Sequence, residues 1–322
     1  MKKAYFIILV HVLFSYTHTD AQHEVPIIDG EWWQLTTTYP DISPYSYFSG
    51  DNKVCDFTIF QAKDGTWQLI ACIRGNTYPG SHRFLYRWES KDITRSLWDQ
   101  KGIFWTTGIE GREDATGRKL SETPFQDEGK LQAPHCFKHE GKYYMFMNSD
   151  AAYCLISDDG KEWEYHKNEV GDYKFFDMGR DVMILDDREN TSRWIAYYTD
   201  GSVTPQCVKA RDAEHLTGEW SEEKKCVYDG YTNSRSPIYP NEFAESPFAV
   251  AREGHYYLFM QLHVFQSENP YHFENKVAVL ESPEYHKRAW APEVIEDNEG
   301  NLYLAAYRPN GIWICKMRWE LK

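Results

Sequence analysis

One pattern recurs five times along the 322 residues and restricts the fold more than any other feature. Each copy is a short apolar stretch led by an acidic residue or by Ala-Pro, then a turn, then an aromatic-rich stretch. The copies occupy 56–70, 133–146, 181–198, 245–259 and 290–304, and a Gly marks the turn in all but the third. Apolar stretches on both sides of a charged turn of this kind form a β-hairpin. A second element follows most copies, a polar turn that ends in Trp, as in Ser96-Leu97-Trp98, Ser157 to Trp163 and Leu216 to Trp220. Two hairpins per repeat make a four-stranded sheet. The lead residues Asp56, His135, Asp181, Glu245 and Glu293 are separated by 79, 46, 64 and 48 positions, which matches the ~40–50 residues of a propeller blade plus insertions. The expectation is therefore an all-β chain, a five-bladed β-propeller over residues 22–322. No stretch of sustained 3.6-residue periodicity competes with it. Two insertions, 106–132 and 229–244, are polar and read as long loops, which in compact folds are usually functional or mobile.

Residues 1–21 read as a secretory signal. Lys2 and Lys3 precede an apolar run from Ala4 to Phe14, and small or polar residues follow up to Ala21. That run is too short to span a bilayer, and no later segment is apolar enough to do so. A secreted or periplasmic location is the expectation, with no membrane partner after cleavage. With 49 acidic against 35 basic residues the formal charge is −14, so nucleic acid and anionic membranes would repel the chain. The seven Cys include three pairs 17, 18 and 19 residues apart. Such hairpin neighbours could cross-link in an oxidising compartment, but the reading carried forward is small buried residues on strands. The 12 Trp, 23 Tyr and 17 Phe suit strands that carry rings, and most are expected to pack blade against blade.

In a propeller the innermost strands all start at one end of the central channel. The residues leading those strands, Asp56, His135, Asp181, Glu245 and Glu293, are expected to converge there. Each second strand returns to the same end, bringing Arg74, Asn148, Asp200, His263 and Arg308. Core packing does not select such residues, and charges at that depth pair or perform a function. Glu245 read alone could be a strand-end surface carboxylate, Asp181 the partner of Arg180 in an ion pair, and Asp56 a strand cap.

The repeats, the Arg180-Asp181 pair, Glu245-Ser246-Pro247 and Trp290-Ala291-Pro292-Glu293 together resemble the glycoside hydrolases of family 43 and the wider arabinanase, levansucrase and invertase clan. The likeness runs from about residue 50 to the end. The family commonly places Pro after its first and second catalytic Asp, where this chain has Phe57 and Val182. The resemblance implies an inverting glycosidase with Asp56 as general base, Glu245 as general acid and Asp181 raising the acid's pKa and orienting it. Two nearby carboxylates and partial burial would both disfavour ionising Glu245. Arg74, His135, Arg180, His263 and Arg308 are candidates for binding sugar hydroxyls, and Trp290 for a stacking floor. No metal or cofactor is assigned, because no Cys/His metal spacing occurs and an axial calcium beside His135 lacks support.

The expected function is an exported exo-acting hydrolase that releases a pentose, α-L-arabinofuranose or β-D-xylose, from plant-type polysaccharide or oligosaccharide. One alternative is a retaining fructan or sucrose hydrolase of the same clan, whose Asn-Asp-Pro and Glu-Cys motifs are replaced here by Cys55-Asp56-Phe57 and Glu245-Ser246. The other is a non-catalytic glycan-binding propeller, for which the three acids need not converge.

Overall fold

The computed structural model describes residues 23–43, 50–76, 83–106, 131–149, 151–200, 207–229, 244–280, 289–308 and 310–322. Residues 1–21, read from sequence as an export signal, and all but the edges of the two long loops lie outside the described residues.

Five antiparallel sheets follow one another around an axis, as the repeats predict. Two strands, β1 (Glu24–Ile28) and β2 (Trp33–Gln34), precede the first repeat. Blade 1 is β3 (Gly50–Gln61), β4 (Trp67–Asn76), β5 (Phe84–Ser90) and β6 (Asp99–Trp105). Blade 2 is β7 (Gln132–His139), β8 (Lys142–Asn148) and β9 (Ala151–Ser157), with both β10 (Glu164–His166) and β11 (Lys174–Asp177) paired to β9. Blade 3 is β12 (Arg180–Asp187), β13 (Arg193–Asp200), β14 (Cys207–Ala213) and β15 (Lys224–Asp229). Its first turn, the one without Gly, is the single helical turn α1 (Arg188–Thr191), closed by Ser192 in the left-handed region. Blade 4 is β16 (Phe248–Arg252), β17 (His255–Met260), β18 (His263–Ser267) and β19 (Asn275–Val279). Blade 5 is β20 (Trp290–Glu296), β21 (Leu302–Arg308) and β22 (Gly311–Leu321).

Blade 5 takes its outer strand from the other end of the chain. β1 pairs antiparallel with β22, from Glu24 opposite Leu321 to Ile28 opposite Met317. Val25 is fully buried, Glu24 forms an ion pair with Arg252 of blade 4, and the Tyr257 hydroxyl donates to the Glu24 carbonyl at 2.6 Å. This strand lies upstream of the first repeat, where the hairpin pattern gave no sign of it. It closes the ring and pairs the last edge, removing a template for aggregation.

Neighbouring blades pack face to face, so their second strands are covered on both sides. β13, with the sequence RWIAYYTD, is buried at seven of its eight positions and shows no alternation. Rings fill the gaps between blades. Phe60 of blade 1 meets Tyr143 and Trp163 of blade 2 at 5.9 Å between centroids, and Phe137 of blade 2 meets Trp194 of blade 3 at 5.6 Å. Tyr228 of blade 3 lies 4.5 Å from Phe265 of blade 4, and Tyr257 of blade 4 lies 4.6 Å from Trp319 of blade 5. Each such pair contributes roughly 0.5–1.5 kcal/mol beyond its buried area. The six described Cys side chains, Cys55, Cys72, Cys136, Cys154, Cys207 and Cys315, are buried free thiols.

Along the axis, polar side chains tie blade 5 to blade 1, blade 1 to blade 2 and blade 2 to blade 3. The Glu293 Oε2 of blade 5 accepts from the backbone N–H of Ile59 in blade 1 at 2.9 Å. Thr58 Oγ1 of blade 1 accepts from the Cys136 N–H of blade 2 at 3.0 Å, and His135 of blade 2 donates through Nε2 to the Ile184 carbonyl of blade 3 at 3.1 Å. Burial pushes the Glu293 carboxyl well above its usual range. Replacing Glu293 with Ala orphans the Ile59 N–H and is expected to cost about 1–3 kcal/mol. Glu293→Gln keeps an acceptor and should cost clearly less. Urea unfolding at constant m checks this, and equal losses for the two variants would remove the structural role of the hydrogen bond.

Candidate active site

Irregularities at the start of the inner strands build the site. The register with the second strand shifts between Val54 and Phe57, Gln132 and His135, Arg180 and Met183, and Trp290 and Glu293. Ala133, Asp181, Ser246 and Ala291 have φ of 48°, 62°, 51° and 47°. Left-handed backbone at a bulge turns the chain and re-aims its side chains. Aligned on this feature, the strands present three successive levels. The outermost holds Cys55, Gln132, Arg180, Glu245 and Trp290, and the next holds Asp56, Ala133, Asp181, Ser246 and Ala291. Two residues further in stand Thr58, His135, Met183, Phe248 and Glu293. The single ring expected from sequence therefore separates in depth. Asp56, Asp181 and Glu245 belong to the upper two levels, and His135 and Glu293 to the axial level beneath them.

The upper levels open into a cavity of about 270 Å³ lined by Cys55, Asp56, Arg74, Arg83, Arg180, Asp181, Glu245, Ser246, Trp290 and Tyr307. All three carboxylates read as catalytic from sequence share this pocket. Arg180 joins two of them, donating to Glu245 Oε1 from Nη2 at 2.8 Å and from Nε at 3.2 Å, with Asp181 Oδ2 3.4 Å from Nε. Both guanidinium contacts fall on Oε1 of Glu245. Ser246 Oγ donates to Asp56 Oδ1 at 3.4 Å. Side chains of the preceding blades hold the left-handed backbone: Asn148 Oδ1 accepts from the Asp181 N–H, and Thr199 Oγ1 from the Ser246 N–H, both at 3.0 Å.

Of the other residues singled out in the sequence, Arg74, Arg180 and Trp290 line the pocket. His135 lies below it in a small polar cavity of about 30 Å³, room for a single water, shared with Asp56, Asp181 and Glu293. Its Nδ1 is 4.0 Å from Glu293 Oε1, and burial lowers its pKa to about 4, so the ring is neutral near pH 7. Among the described residues, no three His, Cys, Asp or Glu side chains converge to hold a metal ion. His263 and Arg308 line neither cavity. His263 is the first residue of β18, beyond the turn that follows β17, and is buried inside blade 4. Arg308 stacks on Trp32 at 4.3 Å and faces Trp313 at 5.8 Å. Side chains alternate along a strand, and the pocket side of β21 falls to Tyr307, opposite Trp290. Sequence reasoning missed Tyr307 by that single position. It missed Arg83, the residue just before β5, because that strand belongs to no repeated motif; Arg83 reaches Gln132 of blade 2 by a hydrogen bond.

Burial and crowding of like charges act on the acids. Asp181 is pushed up to about 8, first by burial and then by the carboxylates of Asp56 and Glu245, against the opposing pull of Arg180 and a hydrogen bond from Thr199. Asp56 is also raised, by burial and by Glu245, with Arg83 and Arg74 acting the other way. Because folding raises the Asp181 pKa, the native state holds a proton there that the unfolded chain has released. That contribution to stability is complete below the unfolded value near ~4 and is lost as pH rises toward about 8. Asp181→Asn is expected to flatten the decline of stability across this window. Unfolding midpoints of both proteins measured from pH 4 to 9 check it, and an unchanged slope would contradict a buried, protonated Asp181.

No protein-family model and no curated protein matches this sequence. Solved structures do share its fold. The catalytic domain of a family 62 α-L-arabinofuranosidase from Coprinopsis cinerea superposes with a TM-score of 0.58 at 10% identity, over 89% of this chain and 96% of that one. An endo-arabinase from Bacteroides thetaiotaomicron gives 0.55 at 15% identity, over 88% and 96%. A family 43 β-xylosidase/α-arabinofuranosidase from a compost metagenome, in complex with xylotriose and calcium-free, gives 0.54 at 11% identity, over 92% and 98%. The chain has the five-bladed propeller fold of the family 43 and family 62 glycoside hydrolases.

Proposed function

We propose that this propeller is a glycoside hydrolase and that its reaction takes place in the Asp56–Asp181–Glu245 pocket. The observation that carries the reading is the meeting of three carboxylates from blades 1, 3 and 4 with an indole and guanidinium groups in one cavity. Hydrolysis of a glycoside needs an acid on the leaving oxygen and a base or nucleophile on the opposite face. Asp56 accepts a proton from the attacking water as its oxygen bonds to the anomeric carbon. Glu245 gives a proton to the departing oxygen, and Arg180 on Oε1 leaves Oε2 for that proton. Asp181, largely uncharged below about pH 8, orients the cluster without adding a third negative charge. The fold neighbours are xylosidases, arabinofuranosidases and an arabinase, which supports a pentose as the released sugar. A cavity near the lower end of ligand-pocket sizes supports removal of one terminal sugar. Inversion of the anomeric centre is part of the proposal and rests on the resemblance to family 43.

A panel of aryl α-L-arabinofuranosides, β-D-xylosides, galactosides and fructosides tests this beside Glu245→Gln. The variant is expected to lose ~10²–10⁴-fold in kcat/KM on poor leaving groups and much less on 4-nitrophenol or better. Equal loss on both would remove the acid role from Glu245, and no release of any sugar would remove the enzyme reading. Proton NMR of the first-formed anomer reports inversion or retention directly.

The reading also includes export, supported by Lys2, Lys3 and the apolar run 4–14. Cleavage after Ala21 would leave β1 intact for closing the ring. Edman sequencing of the protein from the cell exterior or periplasm should begin at Gln22; protein that keeps Met1 and stays in the cytoplasm would contradict it.

A further inference from the structure

One side of the pocket concentrates positive charge. Three guanidinium groups, Arg74, Arg83 and Arg180, line the cavity in a chain whose net charge is −14. Arg180 is engaged by Glu245 and Asp181. The other two have no ion pair among the described residues. Arg74 is solvent-facing at the end of β4, and its hydrogen-bonding neighbour is the neutral phenol of Tyr307. Arg83 donates to the neutral amide of Gln132. Arg180 takes up Glu245 and Asp181, so on the blade 1 side of the cavity the two remaining guanidiniums face one lining carboxylate, Asp56, among the described residues. A substrate that closes the mouth would desolvate both cations, which is unfavourable unless it brings a negative charge. Guanidinium forks match the geometry of a planar carboxylate or a sulfate, whereas a sugar hydroxyl gains little from a second fixed positive charge.

We infer that the pocket takes a sugar bearing a singly charged oxyanion, a uronate carboxylate or a sulfate half-ester, held between Arg74 and Arg83. The inference rests on the glycosidase reading for the placement of the sugar ring beside Asp56 and Glu245. It specifies what that ring carries: the charged group sits on the blade 1 side of the cavity, and the scissile bond lies toward Glu245 of blade 4. Asp56, also of blade 1, faces the ring from near the two arginines, which oppose the burial and the Glu245 charge that raise its pKa. The bound oxyanion therefore offsets part of the pull of the two arginines on Asp56. Positioning an anion this close to a carboxylate is tolerable only with both arginines present.

Calorimetric titration of the full protein tests the inference with two series of free sugars of matched ring configuration. One is xylose, glucose, glucuronate and glucose 6-sulfate. The other is L-arabinose, galactose, galacturonate and galactose 6-sulfate. At least one charged member should bind ~10-fold or more tightly than its neutral counterparts at low salt, the factor that one charge-assisted hydrogen bond supplies. The advantage should shrink as salt rises, fall in Arg74→Gln and in Arg83→Gln, and recover in part in Arg74→Lys, with thermal unfolding of each variant reporting that it is folded. The uronate and sulfate arms decide between the two oxyanions. Equal binding of charged and neutral sugars, an advantage that survives both Gln substitutions in folded protein, or no binding of any charged sugar would overturn the inference. Binding is read without turnover. Tight uronate or sulfate binding with no hydrolysis sinks the glycosidase reading alone, and hydrolysis of neutral pentosides with no preference for charge sinks this inference alone.

Discussion

Three buried side chains on the axis, each bonded to the backbone of the next blade, fix how blades 5, 1, 2 and 3 stand against one another. Glu293 holds Ile59, Thr58 holds Cys136, and His135 holds Ile184. All six groups are removed from water, so each pair is satisfied only when adjacent blades stand in one register, and an error at any of these three interfaces leaves a buried polar atom without its partner. The rings packed between blades supply most of the burial but tolerate small slides. The polar contacts are directional and do not. Closure by β1 matters for the same reason, because a relay around an axis holds position only if the first and last blades are joined.

The pocket inherits its precision from that floor. Left-handed backbone at Asp181 and Ser246 would be costly in an isolated sheet. Here the preceding blade ties each one down, through Asn148 and Thr199. Depth then sorts the titratable groups. The lower level is dry enough to keep His135 neutral and to push Glu293 up, which suits a structural tie that should not change charge with pH. Above it, guanidinium groups and carboxylates share a wetter cavity, and Arg180 spans Asp181 and Glu245 so that three acids can coexist. Burial, with the charges of Asp56 and Glu245, raises Asp181 to about 8.

Much of this was legible in the residues, for identifiable reasons. Hairpin repeats are local, so the blade count and the inner strands could be read from spacing. The three acids stood out because carboxylates at the head of apolar strands have no packing purpose. The departures come from relations that cross the chain. One step of alternation separates Tyr307, in the pocket, from Arg308, stacked on Trp32. A turn separates β17 from His263, and the bulges, not the sequence spacing, moved His135 and Glu293 below the acids. Arg83 directly precedes a strand outside the repeated motif, and β1 pairs with a strand nearly 300 positions away.

The amino-acid sequence by itself determined that this chain builds five sheets with carboxylates at their inner ends, because alternation, turns and aromatic spacing act over a few residues. Only the tertiary structure decided which of those charged groups meet, at what depth, and with which arginines. Depth, desolvation and the approach of one blade's side chains to the next blade's backbone exist only once the ring has closed.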